Sequence, residues 1–204
     1  MKINIAVAFC KNYGIGFKNS LPWTHLKCDL TLFSKRTTGS GNNAVLMGKN
    51  TWFSIPENRR PLKNRTNIII SGSNDFKSTT NDEKRDNQYV FSSIESAVSF
   101  CESEKYDELW IIGGSQIYDE FFKTYCDKID CVYITYVCGD YECDAFINFP
   151  VSNYCVEEEI FNCAEKCYYL KCIHTNHEDN NYKNNKNYKI NNNLQTILNS
   201  SRYL

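Results

Sequence analysis

Six short runs rich in β-branched and aromatic residues recur along the chain, at Ile3–Phe9, Ala44–Met47, Asn67–Ser71, Tyr89–Phe91, Glu108–Ile112 and Ile129–Val137. Helical or loop stretches separate most of them. Strands that alternate with helices favour a parallel sheet with crossovers packed on its faces, so the spacing predicts an α/β domain. At 204 residues the chain has room for one ordinary domain with a substantial core, and not for two large ones.

Two crossover helices are well marked. Ser92 and Glu95 have capping-box spacing around the start of a stripe through Ile94, Ala97, Val98 and Cys101, and a second stripe, Ile117, Phe121 and Tyr125, follows Gly113 and Gly114. From Asn176 to Asn193 asparagine and lysine dominate, and few apolar side chains remain to offset the entropy of ordering the backbone. The division expected is a folded domain over 1–175 and an Asn-rich disordered tail or linker over 176–204, in which Leu194, Ile197 and Leu198 regain a weak helical pattern.

Lysine plus arginine (23) nearly balance aspartate plus glutamate (24), so no overall field gathers nucleic acid or an anionic membrane. Any anion must be held by a local site. The opening MKINIAVAF carries one lysine and a short apolar run without a small-residue cleavage pattern, which predicts a soluble, cytoplasmic protein. The eleven cysteines are scattered, odd in number and set within apolar patterns, so reduced, packed thiols are expected rather than a disulfide framework.

The chemistry points first to Asp29. In HLKCDLTLFSKRTT a helical stripe runs through Leu26, Leu30 and Phe33, and Asp29 falls on that same face. A carboxylate placed where a core side chain belongs is either satisfied by a partner, desolvated with raised proton affinity for a ligand, or at an edge facing water. Just upstream, Gly14, Ile15, Gly16, Asn19, Ser20, Leu21, Pro22 and Trp23 form a glycine-bearing loop that ends in a proline and a large aromatic, a pattern suited to a lid.

Three expected strands also run into phosphate-friendly residues. Met47 is followed by Gly48, Lys49, Asn50 and Thr51; Ile70 by Ser71, Gly72 and Ser73; Ile112 by Gly113, Gly114 and Ser115. Open α/β sheets bind ligands at such carboxyl ends, and the paired glycines let backbone amides approach a pyrophosphate at a helix start. A nucleotide site is expected there.

Taken in order, GIGFKNSLPW, DLTLFSK, VLMGKNTWFSIPENRRPLKNRTNIIIS, WIIGGSQIY and ITYVCGDYECDAF closely resemble dihydrofolate reductases of the chromosomal type. The similarity runs from Ile3 to Phe149, with the final pair of strands placed in Val156–Ile173. The resemblance implies a central, mostly parallel sheet of about eight strands with a C-terminal antiparallel strand and about four flanking helices. It implies NADPH-dependent reduction of dihydrofolate, with Asp29 binding the pterin, Thr135 supporting Asp29, Trp23 contacting it through water and Leu21 on the gating loop. It makes Leu30, Phe33, Ile55, Leu62 and Ile112 the apolar walls and Arg65 the partner of the glutamate-tail carboxylate. For the cofactor it implies Ala8, Ile15, Gly16, Lys49, Asn50, Thr51, Ser71, Gly72, Ser73, Gly113, Gly114, Ser115, Gln116, Ile117 and Tyr118, with Lys49 toward the 2′-phosphate.

Gly72 and Ser93 stand where many relatives carry arginines, which thins recognition of that phosphate. Tyr136 and Ala145 replace a usual arginine and threonine. The implied partner is the small-molecule substrate alone, with no nucleic acid, membrane or metal, and the protein is a monomer unless fused to or docked on thymidylate synthase. Three other readings remain. Cys163, Cys167, Cys172, His174 and His177 are soft metal ligands but match no standard zinc spacing. A pyrimidine reductase of riboflavin synthesis shares a similar fold without needing Trp23, Asp29 and Arg65, and a folate-binding paralogue keeps the pocket without turnover.

Overall fold

The computed structural model describes residues 1–24, 26–72, 87–175 and 194–199. In chain order the elements are β1 (Lys2–Phe9), β2 (Gly14–Gly16), α1 (Lys27–Thr38), β3 (Asn43–Gly48), α2 (Lys49–Ser54), β4 (Thr66–Ile70), β5 (Gln88–Phe91), α3 (Ile94–Ser103), β6 (Glu108–Ile111), α4 (Ser115–Thr124), β7 (Ile129–Val137), β8 (Ala145–Phe146), β9 (Tyr154–Asn162), β10 (Cys167–His174) and α5 (Leu194–Asn199).

Eight strands form one sheet in the order β5-β4-β3-β6-β1-β7-β10-β9, and β2 pairs with β8 in a small second sheet. The pairs from β5 through β7 are parallel, and β10 runs antiparallel to both β7 and β9. This is the expected mostly parallel sheet with a C-terminal antiparallel strand. All six strand-like runs are strands, each within one residue of its expected bounds.

The central strands are apolar on both faces because both faces are covered. Ile5, Phe9, Ala44, Leu46, Ile68, Leu109, Ile111, Ile134 and Leu170 are buried in one large cluster with α3 and α4, while Val45, Met47, Trp52, Ile69 and Trp110 form a smaller cluster on the other face. On α4 the buried residues are Ile117, Tyr118, Phe121 and Phe122, and Tyr125 ends the helix against Phe121 at 5.0 Å between ring centroids.

The α3 cap differs by one residue from the expected box. Ser93, not Ser92, is the N-cap: its Oγ accepts from the Ser96 backbone N–H at 3.2 Å, and the Ser96 hydroxyl donates back to the Ser93 carbonyl at 3.0 Å. The slide keeps the three-residue spacing while using two hydroxyls, and the Ala97, Val98, Cys101 stripe is still buried. Helix α1 stops at Gly39, whose positive φ of 54° lets its N–H reach the Lys35 carbonyl at 3.0 Å.

Within the stretch expected as tail, residues 194–199 form helix α5, with Ile197 buried in the large cluster and Leu198 packed against it. The Tyr136 hydroxyl donates to the Leu198 carbonyl at 3.1 Å. Residues 176–193 and 200–204, which hold the rest of that stretch, and His177 of the metal reading lie outside the described residues. Among the described residues no group of three His, Cys, Asp or Glu side chains is arranged to hold a metal ion, and no helix is long and apolar enough to cross a membrane. All eleven cysteines are free thiols.

Candidate active site

Helix α1 is only weakly amphipathic. Thr37 is its one fully buried residue, and Leu26, Asp29, Leu30 and Phe33 are all half-buried. An apolar stripe that the core does not seal is free to line a cleft. Asp29 reaches back to β7, where the Thr135 hydroxyl donates to Oδ1 at 2.6 Å. Burial pushes the Asp29 carboxyl above its ordinary proton affinity; the Thr135 hydrogen bond opposes this, nearby Glu165 adds to it, and Arg36 opposes it.

Trp23 is 5 % exposed, and its indole Nε1 is buried with no hydrogen-bond partner among the described residues. The ring packs edge-on against Tyr141 at 5.8 Å and clusters with Cys10, Val137, Ala8 and Leu26. A buried indole N–H left unpaired is costly unless a ligand or water meets it. Ala8 and Thr135 are register partners on β1 and β7, so the indole, the acid and its supporting hydroxyl converge at one end of those strands.

The glycine-bearing loop is a hairpin. Phe17 and Ser20 exchange backbone hydrogen bonds at 2.9 and 3.0 Å, and Lys18 and Asn19 between them both have positive φ. The far side is held by Asp144, whose Oδ2 accepts from the Lys18 N–H at 2.8 Å and whose N–H donates to the Gly16 carbonyl at 3.0 Å. Ile15 packs against the core, whereas Leu21, on the outgoing arm, is 39 % exposed.

Arg65 is 7 % exposed, with no carboxylate ion pair among the described residues. Its guanidinium donates to the Thr37 hydroxyl and, from Nε, to the Lys63 carbonyl at 3.1 Å, and lies 5.8 Å from the centroid of the Phe33 ring. Arg65 is therefore a buried cation short of a counter-charge and not a member of a surface ion pair. Ile55, Leu62 and Ile112 are half-buried around the smaller cluster, a position that suits walls. Thr37 had no sequence signal beyond its place at the end of α1; its role shows only once Arg65 is seen to reach it.

On the other side, β4, β3 and β6 are neighbours, which brings their three carboxyl ends together. The Gly48 N–H donates to the Gly113 carbonyl at 2.7 Å. Gly113 has φ +97°, and a Cβ there would come within 2.6 Å of the Tyr118 ring; a Cβ on Gly114 would approach Thr51 Oγ1 to 3.3 Å. The bare backbone is required by this packing. Gly114 caps α4 with no side-chain hydrogen bond, leaving Ser115 and Gln116 to open the helix. Lys49 and Asn50 begin α2, half-buried and exposed respectively. Ser71 is buried with its N–H on the Phe91 carbonyl at 2.9 Å, Gly72 is exposed, and Ser73 lies outside the described residues. Ile117 and Tyr118 are committed to the interior, Tyr118 through a 2.7 Å hydrogen bond from its hydroxyl to the Ala6 carbonyl.

The sequence matches the profile of the family described as "Dihydrofolate reductase" over residues 2–192. It is 34 % identical over 157 residues to the dihydrofolate reductase of Drosophila melanogaster, covering 74 % of this chain and 80 % of that protein. Against the dihydrofolate reductase of Gallus gallus the identity is 34 % over 160 residues, covering 74 % and 79 %. A viral dihydrofolate reductase of Saimiriine herpesvirus 2 is 36 % identical over 155 residues, covering 72 % and 68 %. With the fold, the acid on α1 and these similarities in agreement, the chain belongs to the dihydrofolate reductase family.

Proposed function

We propose that this chain reduces 7,8-dihydrofolate to 5,6,7,8-tetrahydrofolate with NADPH, by hydride transfer to C6 and protonation of N5, in the cytoplasm and in support of one-carbon metabolism and thymidylate synthesis. The observation that carries the reading is the Asp29 carboxyl, half-buried on an apolar helix face, hydrogen-bonded by Thr135 and raised in proton affinity by burial.

Asp29 in this reading binds the amino group and ring nitrogen of the pterin, and its proton favours the protonated ring, in which C6 is more electrophilic. Leu30, Phe33, Ile55, Leu62 and Ile112 exclude water from the pterin and benzoyl rings, and Trp23 holds a bridging water on its unpaired Nε1–H. The proton reaches N5 by water past the hairpin that carries Leu21. Arg65 supplies two parallel hydrogen bonds to the glutamate α-carboxylate, whose charge compensates the buried guanidinium.

The residues present fit NADPH. The Gly113–Gly114 backbone and the uncapped start of α4 suit a pyrophosphate, Thr51, Ser71 and Ser115 add hydroxyls, Ala8 and Ile15 suit the nicotinamide, and Lys49 suits the 2′-phosphate. Bound there, NADPH supplies the hydride. With Gly72 and Ser93 in place of arginines, preference over NADH rests mainly on Lys49. Residues 1–175 carry the reductase, as a monomer unless joined to a thymidylate synthase.

Absorbance at the reduced-nicotinamide band, followed with dihydrofolate and repeated with NADH, tests the reading directly. Asp29→Asn preserves shape and removes the titrating carboxyl; turnover should fall by roughly 10²–10⁴-fold with NADPH affinity nearly unchanged. Near-normal turnover in that variant would defeat the assignment.

A further inference from the structure

Helix α1 begins without a cap of its own. Its N-cap residue is Leu26, which offers no side-chain acceptor to the first-turn N–H groups, yet such groups need one. The acceptor comes from far along the chain. Glu165, in the turn between β9 and β10, takes the N–H of Cys28, the residue before the acid, on Oε1 at 2.8 Å, across 137 residues of sequence. Its other oxygen, Oε2, accepts from the Tyr169 hydroxyl at 2.8 Å, and Tyr169 is buried. Tyr169 on β10 is in turn the register partner of Thr135 on β7, the residue that bonds the Asp29 side chain. Asp29 is thus held from two places: its carboxyl by Thr135 on β7, and the backbone just before it, at Cys28, by Glu165 in the β9–β10 turn.

We propose that Glu165, braced by Tyr169, is a positioning residue for Asp29: it caps helix α1 from the β9–β10 turn and sets a second carboxylate beside the acid of the reaction. The inference rests on the dihydrofolate reductase reading for what Asp29 does, and on geometry alone for how Asp29 is held. Two neighbouring carboxyls with environments that push them apart divide the roles of charged group and proton holder between them. Here burial pushes Glu165 up, but the hydrogen bonds it accepts from Cys28 and Tyr169 outweigh burial and hold it below its ordinary range, whereas burial raises Asp29. The ionised Glu165 then raises Asp29 further by like-charge repulsion. The other groups that act on Asp29 are Arg36 on α1 and the Thr135 hydroxyl on β7, both opposing the rise; Tyr118 on α4 and Cys167 on β10 also face it, and its charge raises their own proton affinity.

Three variants of the full chain separate charge from scaffold. Glu165→Gln keeps an acceptor oxygen and loses the charge; Glu165→Asp keeps the charge and loses reach; Tyr169→Phe removes the brace. With kcat and kcat/KM for dihydrofolate measured from about pH 5 to 9, Glu165→Gln should move the alkaline limb to lower pH. At about pH 8 its kcat should fall about threefold or more while that at about pH 5.5 stays near wild type. Tyr169→Phe should shift the limb in the same direction by less, and Glu165→Asp should leave the limb near its wild-type position even where its Tm falls. A Glu165→Gln limb that superimposes on wild type, with activity scaled equally at every pH, overturns the proposal and leaves Glu165 as scaffold. A second readout needs no turnover: the gap at about pH 8 between the melting temperatures of Asp29-containing and Asp29→Asn proteins, which scales with how far folding raises the proton affinity of Asp29, should be smaller in the Glu165→Gln background. An unchanged gap also overturns it. A wild-type chain inactive on dihydrofolate, with that gap narrowed as expected, sinks the functional reading and leaves the coupling of the two carboxyls standing.

Discussion

Asp29 and Arg65 are both charges placed where charges are expensive, one on an apolar helix face and one with about a fourteenth of its surface exposed, 7 %. Each should therefore cost the free protein stability. For Asp29 the sign follows from linkage: its folded-state proton affinity is raised, so the folded state binds the proton more tightly than the unfolded chain, and stability is lost as pH rises through the raised value. Asp29→Asn should consequently raise Tm at about pH 8, with the gain vanishing below about pH 4, where both states are protonated; a thermal melt series across pH checks this, and a gain independent of pH contradicts it. Arg65→Leu should weaken folate by about 2–5 kcal/mol, the scale of a desolvated pair losing one partner, while barely changing the affinity of pteroate, which lacks the glutamate. Calorimetric titration of both ligands separates the two. Asp29 and Arg65 were legible in the sequence, Asp29 because a carboxylate breaks a helical period and Arg65 only through resemblance. Thr37 and Glu165 were not, since each acts on a residue far away in sequence, at 28 and 137 positions, and no local pattern records such a pairing.

Among the elements, the strands were the most legible part, because a strand buried on both faces must be apolar throughout and therefore stands out from its flanks. The small β2–β8 pair was invisible: three residues, GIG, facing two, AF, carry no periodicity, and their pairing depends on Asp144 arriving from the β7–β8 connection. The docking of α5 was equally hidden, since its weak stripe gains meaning only from Tyr136 and the core face it meets. Ile197→Ala should therefore cost about 2 kcal/mol, as truncation of a buried isoleucine does, and lower Tm by about 4–8 °C in a domain of this size. An unchanged Tm would mean that α5 adds nothing to the body. The β6–α4 junction makes the opposite case, a tight feature that its paired glycines announce. Gly113→Ala combines a positive φ with a Cβ 2.6 Å from the Tyr118 ring, and should cost about 1–3 kcal/mol and weaken NADPH binding together. A Tm and a fluorescence titration measure the two losses, and retention of both would contradict the close approach.

At the scale of the whole molecule the cysteines test whether the two faces of the sheet are sealed as described. They are spread over nearly every layer, and all eleven are free, as their scatter through apolar patterns implied. Their environments differ sharply. Cys10, Cys101, Cys167 and Cys172 are buried, whereas Cys28 and Cys163 are exposed. Burial pushes the thiols of Cys10 and Cys101 up to about 12 and that of Cys167 to about 11, with the neighbouring Cys143, 3.5 Å from Cys10 between sulfurs, adding to the rise at Cys10. Since the thiolate is the nucleophile, these groups combine low access with a negligible reactive fraction at about pH 8. Native alkylation followed by mass spectrometry should label Cys28 and Cys163 first and leave the four buried thiols unmodified until the chain unfolds, after which all eleven react. Labelling of Cys101 as fast as Cys28 would show that α3 does not close over the sheet. Fewer than eleven reactive thiols after unfolding without reductant would show a disulfide that the free thiols exclude.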